Sequence, residues 1–175
     1  MADKPIKRNE NIVPLSRDHH FGLLFCWKIR QGLKAKIALD RIRKYILYFW
    51  EFHLEQHFIE EETLLFSQVQ NKLCEDGFNQ HKEIKNIIAR FTVSANENEE
   101  LYASLASLVD EHIRFEERIL FPYLESALPV EKLAEIGTQL KEMHIEPKQD
   151  NYPDEFWIKK IMNNNNFWVE LIFRL

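Results

Sequence analysis

The chain has 175 residues, 45% hydrophobic and 29% charged, with a formal net charge of −5. That is enough for one domain with its own core, and the acidic balance excludes nonspecific nucleic-acid binding as the main task. No stretch is apolar for long enough to span a bilayer.

Gly (four) and Pro (six) are scarce, which favours long helices over a turn-rich fold. The first residues, Met-Ala-Asp-Lys-Pro-Ile-Lys-Arg, lack the apolar region of a signal peptide. Cys26 and Cys74 form neither a CxxC pair nor a disulfide framework. A cytoplasmic protein with reduced thiols is expected.

The helical period repeats down most of the chain. A first helix is expected from about Leu15 to Leu33, with Leu15, His19, Leu23 and Cys26 on its apolar stripe. A turn near Gly32 and Lys34-Ala35-Lys36 leads to a long second helix, about Ile37 to Phe66. Its stripe reads Ile46, Trp50, His53/Leu54, His57, Glu61, Leu64/Leu65. A break near Glu75-Asp76-Gly77 precedes a third helix, about Asn79 to Val93, with Phe78, His81, Ile84, Ile88 and Phe91. Polar residues 94–99 read as a loop and capping region. A fourth helix follows from Glu99 to Ala127, carrying Leu101, Leu105, Leu108, His112, Glu116, Ile119/Leu120 and Tyr123. After Pro129 comes a shorter helix, Val130 to about His144, then a polar loop around Pro147 to Pro153 and an aromatic tail interrupted by Asn163–Asn166. The fold class is therefore all-α: an antiparallel up-down-up-down four-helix bundle, about 14–128, with a short extra C-terminal helix and a strap over 129–175, in a single domain.

The most informative feature is a repeat. His57-Phe-Ile-Glu-Glu-Glu-Thr-Leu-Leu-Phe66 returns 55 positions later as His112-Ile-Arg-Phe-Glu-Glu-Arg-Ile-Leu-Phe121. Each copy carries a His and, four residues on, a Glu; on a helix the two share one face. His57, Glu61, His112 and Glu116 all fall on apolar stripes. A lone buried His is usually a satisfied core residue, and a lone buried Glu costs several kcal/mol unless paired or metal-bound. Two identical inward pairs on diagonal helices are hard to explain as two accidents. The first and third helices each add one inward His, His19 and His81. His20 is the less core-like alternative to His19.

Four imidazoles and two carboxylates suit a dinuclear site. If both carboxylates bridge, each ion receives two nitrogens and two oxygens, with positions left for an oxo or hydroxo bridge and a small ligand. Iron, manganese and zinc all accept such donors. A ferritin-like carboxylate site would need Glu-x-x-His. The residues three before the seven histidines are Ser16, Arg17, Trp50, Leu54, Phe78, Val109 and Lys141, so that architecture fails at its own motif.

Arg17-Asp18-His19-His20, His57-x3-Glu61-Glu62-x2-Leu65-Phe66, His81 and His112-x3-Glu116-Glu117-x2-Leu120-Phe121-Pro122 together resemble the hemerythrin family, in particular its His-His-Glu cation-binding branch, over about Leu15 to Leu124. The resemblance implies two non-haem iron ions in a four-helix bundle and binding of O₂ or a related small molecule such as NO. The chain departs from the oxygen carriers in two places. Lys85 stands where they have a second third-helix His, and their last carboxylate lies five residues after its His, at Glu117. The repeat and the helical face favour Glu116. His53, one turn before His57, is a substitute ligand; its plainer reading is a core His bonded to a neighbour. Glu60, Glu62 and Glu117 are expected at bundle edges, and His144 on the surface.

Three functions follow. The first is a binding protein for O₂, NO or peroxide, used in sensing, storage or scavenging. The second is a di-iron oxidase, peroxidase or stress-repair enzyme. The third is a metal-stabilised interaction module whose tail docks a protein partner. A binding protein is favoured over an enzyme, because no separate general acid or base stands out.

Overall fold

The computed structural model describes residues 7–93, 98–144, 149–162 and 168–171. Helix α1 spans Val13–Lys34 and carries Pro14 in its first turn, where a missing N–H is harmless. Helix α2 runs without interruption over 39–65, its segments Trp50–Leu54 and Glu61–Leu65 being wider π turns. Helix α3 is Lys72–Val93. Helix α4 covers 99–127, with a π turn at Glu116–Leu120. Asn98 caps it by accepting from the Leu101 amide at 3.2 Å. Helix α5 is Val130–Met143. Strands β1 (Lys159–Met162) and β2 (Trp168–Leu171) pair antiparallel, Lys159 opposite Leu171. Helix α1 lies along α4 and touches α2, and α3 packs on α2 and α4. This is the expected helical bundle with its extra C-terminal helix; the small hairpin is an addition. No helix among the described residues is long and apolar enough to cross a membrane.

The π turns have a physical reason. The inward residues His53, His57, Glu61 and Leu65 recur every four positions, and so do His112, Glu116, Leu120 and Leu124. A four-residue step overshoots an ideal α-turn by about 40°. Wider turns absorb that rotation and keep the column facing inward.

One expected break moves and the other holds. Gly77 lies inside α3, and the chain turns instead at 69–71, where the Asn71 side chain accepts from the Leu73 amide at 2.8 Å. Gly77 serves close packing: a Cβ there would stand 3.0 Å from Phe66 and 3.1 Å from Leu120. The turn expected near Gly32 and Lys34-Ala35-Lys36 falls there: Gly32 is still buried within α1, and the bend comes at Lys36, which takes a left-handed φ of 54°. The loop expected at 94–97, Pro147 and Asn163–Asn166 lie outside the described residues.

Two apolar clusters fill the bundle. One contains Phe25, Ile42, Phe49, Phe58, Ile88 and Leu105. The other contains Leu15, Leu65, Phe121 and Leu124 with Leu133, Ile136 and Leu140 of α5. The His and Glu residues form a polar layer between them.

The segment after α5 is clamped to the first cluster. Phe156 is buried in it, and Asp150 accepts from the buried Lys28 at 2.7 Å and from Tyr45 at 2.6 Å. The Lys28 ammonium also lies 3.8 Å from the Trp157 ring centre. Asp150→Ala strands that buried cation, so unfolding free energy should fall by about 3 kcal/mol in a denaturant titration. The metal content should not change. A loss within the error of the titration would show that the clamp contributes nothing.

Candidate metal centre

His19 from α1, His57 and Glu61 from α2, His81 from α3 and His112 and Glu116 from α4 are all buried, both carboxylates completely. Their donor atoms fall into two groups of four, His19–His57–Glu61–Glu116 and His81–His112–Glu61–Glu116, each with one atom per residue within 4.8 Å of all the others. Glu61 and Glu116 belong to both. All four imidazoles turn Nε2 inward. His19 Nε2 lies 3.4 Å from Glu61 and 3.0 Å from Glu116. His57 Nε2 is 3.1 Å from Glu61, His81 Nε2 is 3.3 Å from Glu61, and His112 Nε2 is 3.2 Å from Glu116.

Apart from the Nε2 atoms of His81 and His112, which meet each other, these atoms point at shared centres rather than at one another. Nε2 of His19 and of His57 and all four oxygens of Glu61 and Glu116 are buried without a well-directed hydrogen bond among the described residues. Burying two carboxylates this way is costly unless cations bind them. The donor set fits two ions of the kind that accept mixed nitrogen and oxygen ligands.

The charges show the same strain. Burial pulls the His19 imidazole down, but Glu116, Glu117 and Glu61 outweigh it and hold its pKa well above 6.5. His57 is raised against burial by Glu61 and Asp18. Burial opposes protonation of His81 too, yet Glu116, Glu61 and Glu62 push it up to about 10. His112 goes the other way, to about 4, because burial dominates. His81 and His112 meet Nε2 to Nε2 at 3.0 Å, and the charge on His81 adds to burial in lowering His112. Against burial, the imidazoles hold Glu61 well below its usual range. Glu116 is also lowered, although burial and Glu61 oppose it.

The outward Nδ1 atoms each face a partner. Glu117 meets His19 at 2.7 Å, Glu62 meets His81 at 2.8 Å, Gln80 meets His112 at 2.9 Å, and Asp18 stands 3.5 Å from His57. Glu62 and Glu117, expected at bundle edges, therefore hold the imidazoles. Lys85 supports Glu62 at 2.6 Å, which accounts for a cation at that position. Arg8 supports Glu117 at 2.6 Å. The signal was present in the Glu-Glu doublets, since the second Glu of each points to a neighbouring helix.

Other expectations also change. Glu60 is buried and bonds His144 at 2.8 Å, so neither is a plain surface residue. Together with Asp18 they form a third group of close donor atoms. His20 is exposed, away from the centre. His53 is buried and stacked on Phe49 at 4.7 Å, and it belongs to none of these donor groups. Cys26 is buried, which pushes its thiol up to about 12; an unreactive thiol is the result.

Among comparisons with known proteins, a family model described as the hemerythrin HHE cation binding domain matches residues 17–124 and again 75–150. No curated protein and no solved structure matches the chain.

Proposed function

The chain belongs to the hemerythrin HHE cation-binding family, and from that premise we propose that it is a non-haem di-iron protein that binds O₂, NO or peroxide for sensing, storage or scavenging. His19, His57, Glu61, His81, His112 and Glu116 would hold the ions, Glu61 and Glu116 being common to both donor groups. The observation that carries this reading is the pair of four-donor groups sharing two carboxylates. Two irons held there would supply reversible redox chemistry, with an oxo or hydroxo bridge between them. The chain's part is to position the ions, exclude water and admit a small guest. An apolar cavity of about 20 Å³ borders the ligands, lined among others by His19, His57, His112, His53, Phe49 and Phe58. It has room for one water-sized or diatomic guest.

Anaerobic purification, iron analysis and a visible spectrum before and after air test the proposal. Two irons per chain and a reversible O₂-dependent band are expected. Irreversible oxidation with peroxide turnover would favour the enzyme alternative. Two zinc ions and no colour would sink the di-iron reading.

The outer carboxylates yield a separate expectation. Glu62→Ala removes the acceptor for His81 Nδ1, and metal affinity should drop by roughly 10–100-fold with the helical content unchanged. Chelator competition measures the affinity and circular dichroism the fold. Unchanged affinity would mean that Glu62 only pairs with Lys85.

A further inference from the structure

The cavity beside the centre owes its space to one residue. Gly22 of α1 and Ile113 of α4 both line it. Gly22 stands three residues after His19, and Ile113 directly follows His112. The matching positions in the other half of the repeat carry bulk: Ile84 stands three residues after His81, and Phe58 follows His57. Both of those side chains are completely buried, and Phe58 stacks on His81 with ring centres 3.7 Å apart. A glycine takes the place of a large side chain on one side only.

Glycine inside a helix is unfavourable relative to alanine, and Gly22 lies well within Val13–Lys34. Its reason is packing. A Cβ at residue 22 would meet Ile113 Cδ1 at 2.6 Å, with Ile113 Cγ1 next at 3.8 Å. The conflict is with one terminal methyl group, which would have to retreat by about 1 Å to reach ordinary carbon–carbon contact. Ile113 is only 4% exposed. In a close-packed interior the open room beside it is the cavity that it lines. A cavity of about 20 Å³ holds a displaced methyl group or a small guest, not both.

We infer that Gly22 sets the size of the guest: it seats the Ile113 methyl beside the α1 backbone and so keeps open a chamber for a molecule of about two heavy atoms. This rests on the di-iron reading above and narrows it. The guest class is O₂, NO or hydrogen peroxide, while alkyl hydroperoxides and ring-bearing molecules are kept from the ions. Gly22 itself belongs to neither donor group; it is a specificity-determining residue.

The test loads the full chain anaerobically with ferrous iron, measures iron per chain, and follows binding of NO and of nitrosobenzene by visible absorption. Nitrosobenzene is a bulky probe that also binds through nitrogen. The unaltered chain should bind NO and exclude nitrosobenzene. Gly22→Ala should keep two irons and lose at least about tenfold in NO affinity, the effect of one carbon atom in an apolar pocket. Ile113→Val removes Cδ1, so the double variant Gly22→Ala/Ile113→Val should recover NO affinity to within about threefold of the unaltered chain. Alanine is the better helix former, so Gly22→Ala should fold, and rescue by trimming a residue on another helix is not what a merely structural role would give. Nitrosobenzene bound as tightly as NO, unchanged NO affinity in Gly22→Ala, loss of iron from that variant, or a double variant no better than Gly22→Ala overturns this inference alone. An unaltered chain that takes up no iron overturns the di-iron reading and this inference with it.

Discussion

Glu61→Ala is expected to remove both ions at once. Glu61 contributes a donor oxygen to each four-residue group. Its two oxygens lie 3.4 Å from His19 Nε2, 3.1 Å from His57 Nε2 and 3.3 Å from His81 Nε2. In the proposed dinuclear site, truncation would leave each ion with three protein donors instead of four and would take one negative charge from the centre. Iron per chain after dialysis should fall from two to near zero. His57→Ala, whose ring serves one group only, should retain a partial load. The metal-free fold should suffer as well. The carboxylate is fully buried among imidazoles that it keeps protonated, and breaking such a cluster costs about 3–5 kcal/mol. Metal analysis paired with a denaturant titration separates the two effects. Two ions kept by Glu61→Ala would show that this carboxylate does not bridge.

The helix count, the diagonal placement of α2 and α4, and the inward set at the centre were legible because a four-residue spacing on an apolar stripe is a strong geometric constraint. His57 and Glu61 must share a face, and the repeat demands the same of His112 and Glu116. The same constraint separated Glu116, which is buried at the centre, from Glu117, which turns outward to His19. Beyond the Glu-Glu doublets, little of the outer ring was legible. Glu62, Gln80 and Asp18 act across helix boundaries, and a stripe drawn on one helix does not show what its flank meets. Gly77 read as a break because glycine is costly in a helix interior. Its purpose, room for Phe66 and Leu120, exists only once three helices are packed. The π turns are hidden for a similar reason: they follow from a column of inward residues held at an integral spacing over several turns. The sequence sets His144 outside the bundle because its own helix ends there, while Glu60, its partner, lies 84 positions away.

Metal uptake should release protons and strengthen steeply with pH. In the metal-free chain His19, His57 and His81 have raised pKa values, His81 to about 10. A raised group contributes stability that is fully present below its unfolded value, near 6.5, and lost as pH rises through the folded value. The depressed carboxylates run the opposite way. Glu117, opposed by burial but lowered to about 2 by His19, Ser16 and Arg8, contributes above its unfolded value near 4.5 and loses that contribution as pH falls toward 2. The metal-free protein should therefore be most stable between about pH 4.5 and 6.5 and should weaken from pH 7 to 10. Ions require neutral Nε2 donors, so they replace these protons in the same space. Loading near pH 7 should release up to three protons per chain, one from each raised imidazole. Overall affinity should then climb by as much as about a thousandfold per pH unit while all three remain protonated. Thermal melts of the two forms across pH, and calorimetry in buffers of different ionisation enthalpy, measure both quantities. The gap between metal-loaded and metal-free melting temperatures should widen on the alkaline side. Loading that releases no proton at pH 7 would mean the imidazoles are already neutral. In that case Glu61 and Glu116 would lie buried with no cation beside them, and that could persist only if the isolated carboxylates took up protons themselves.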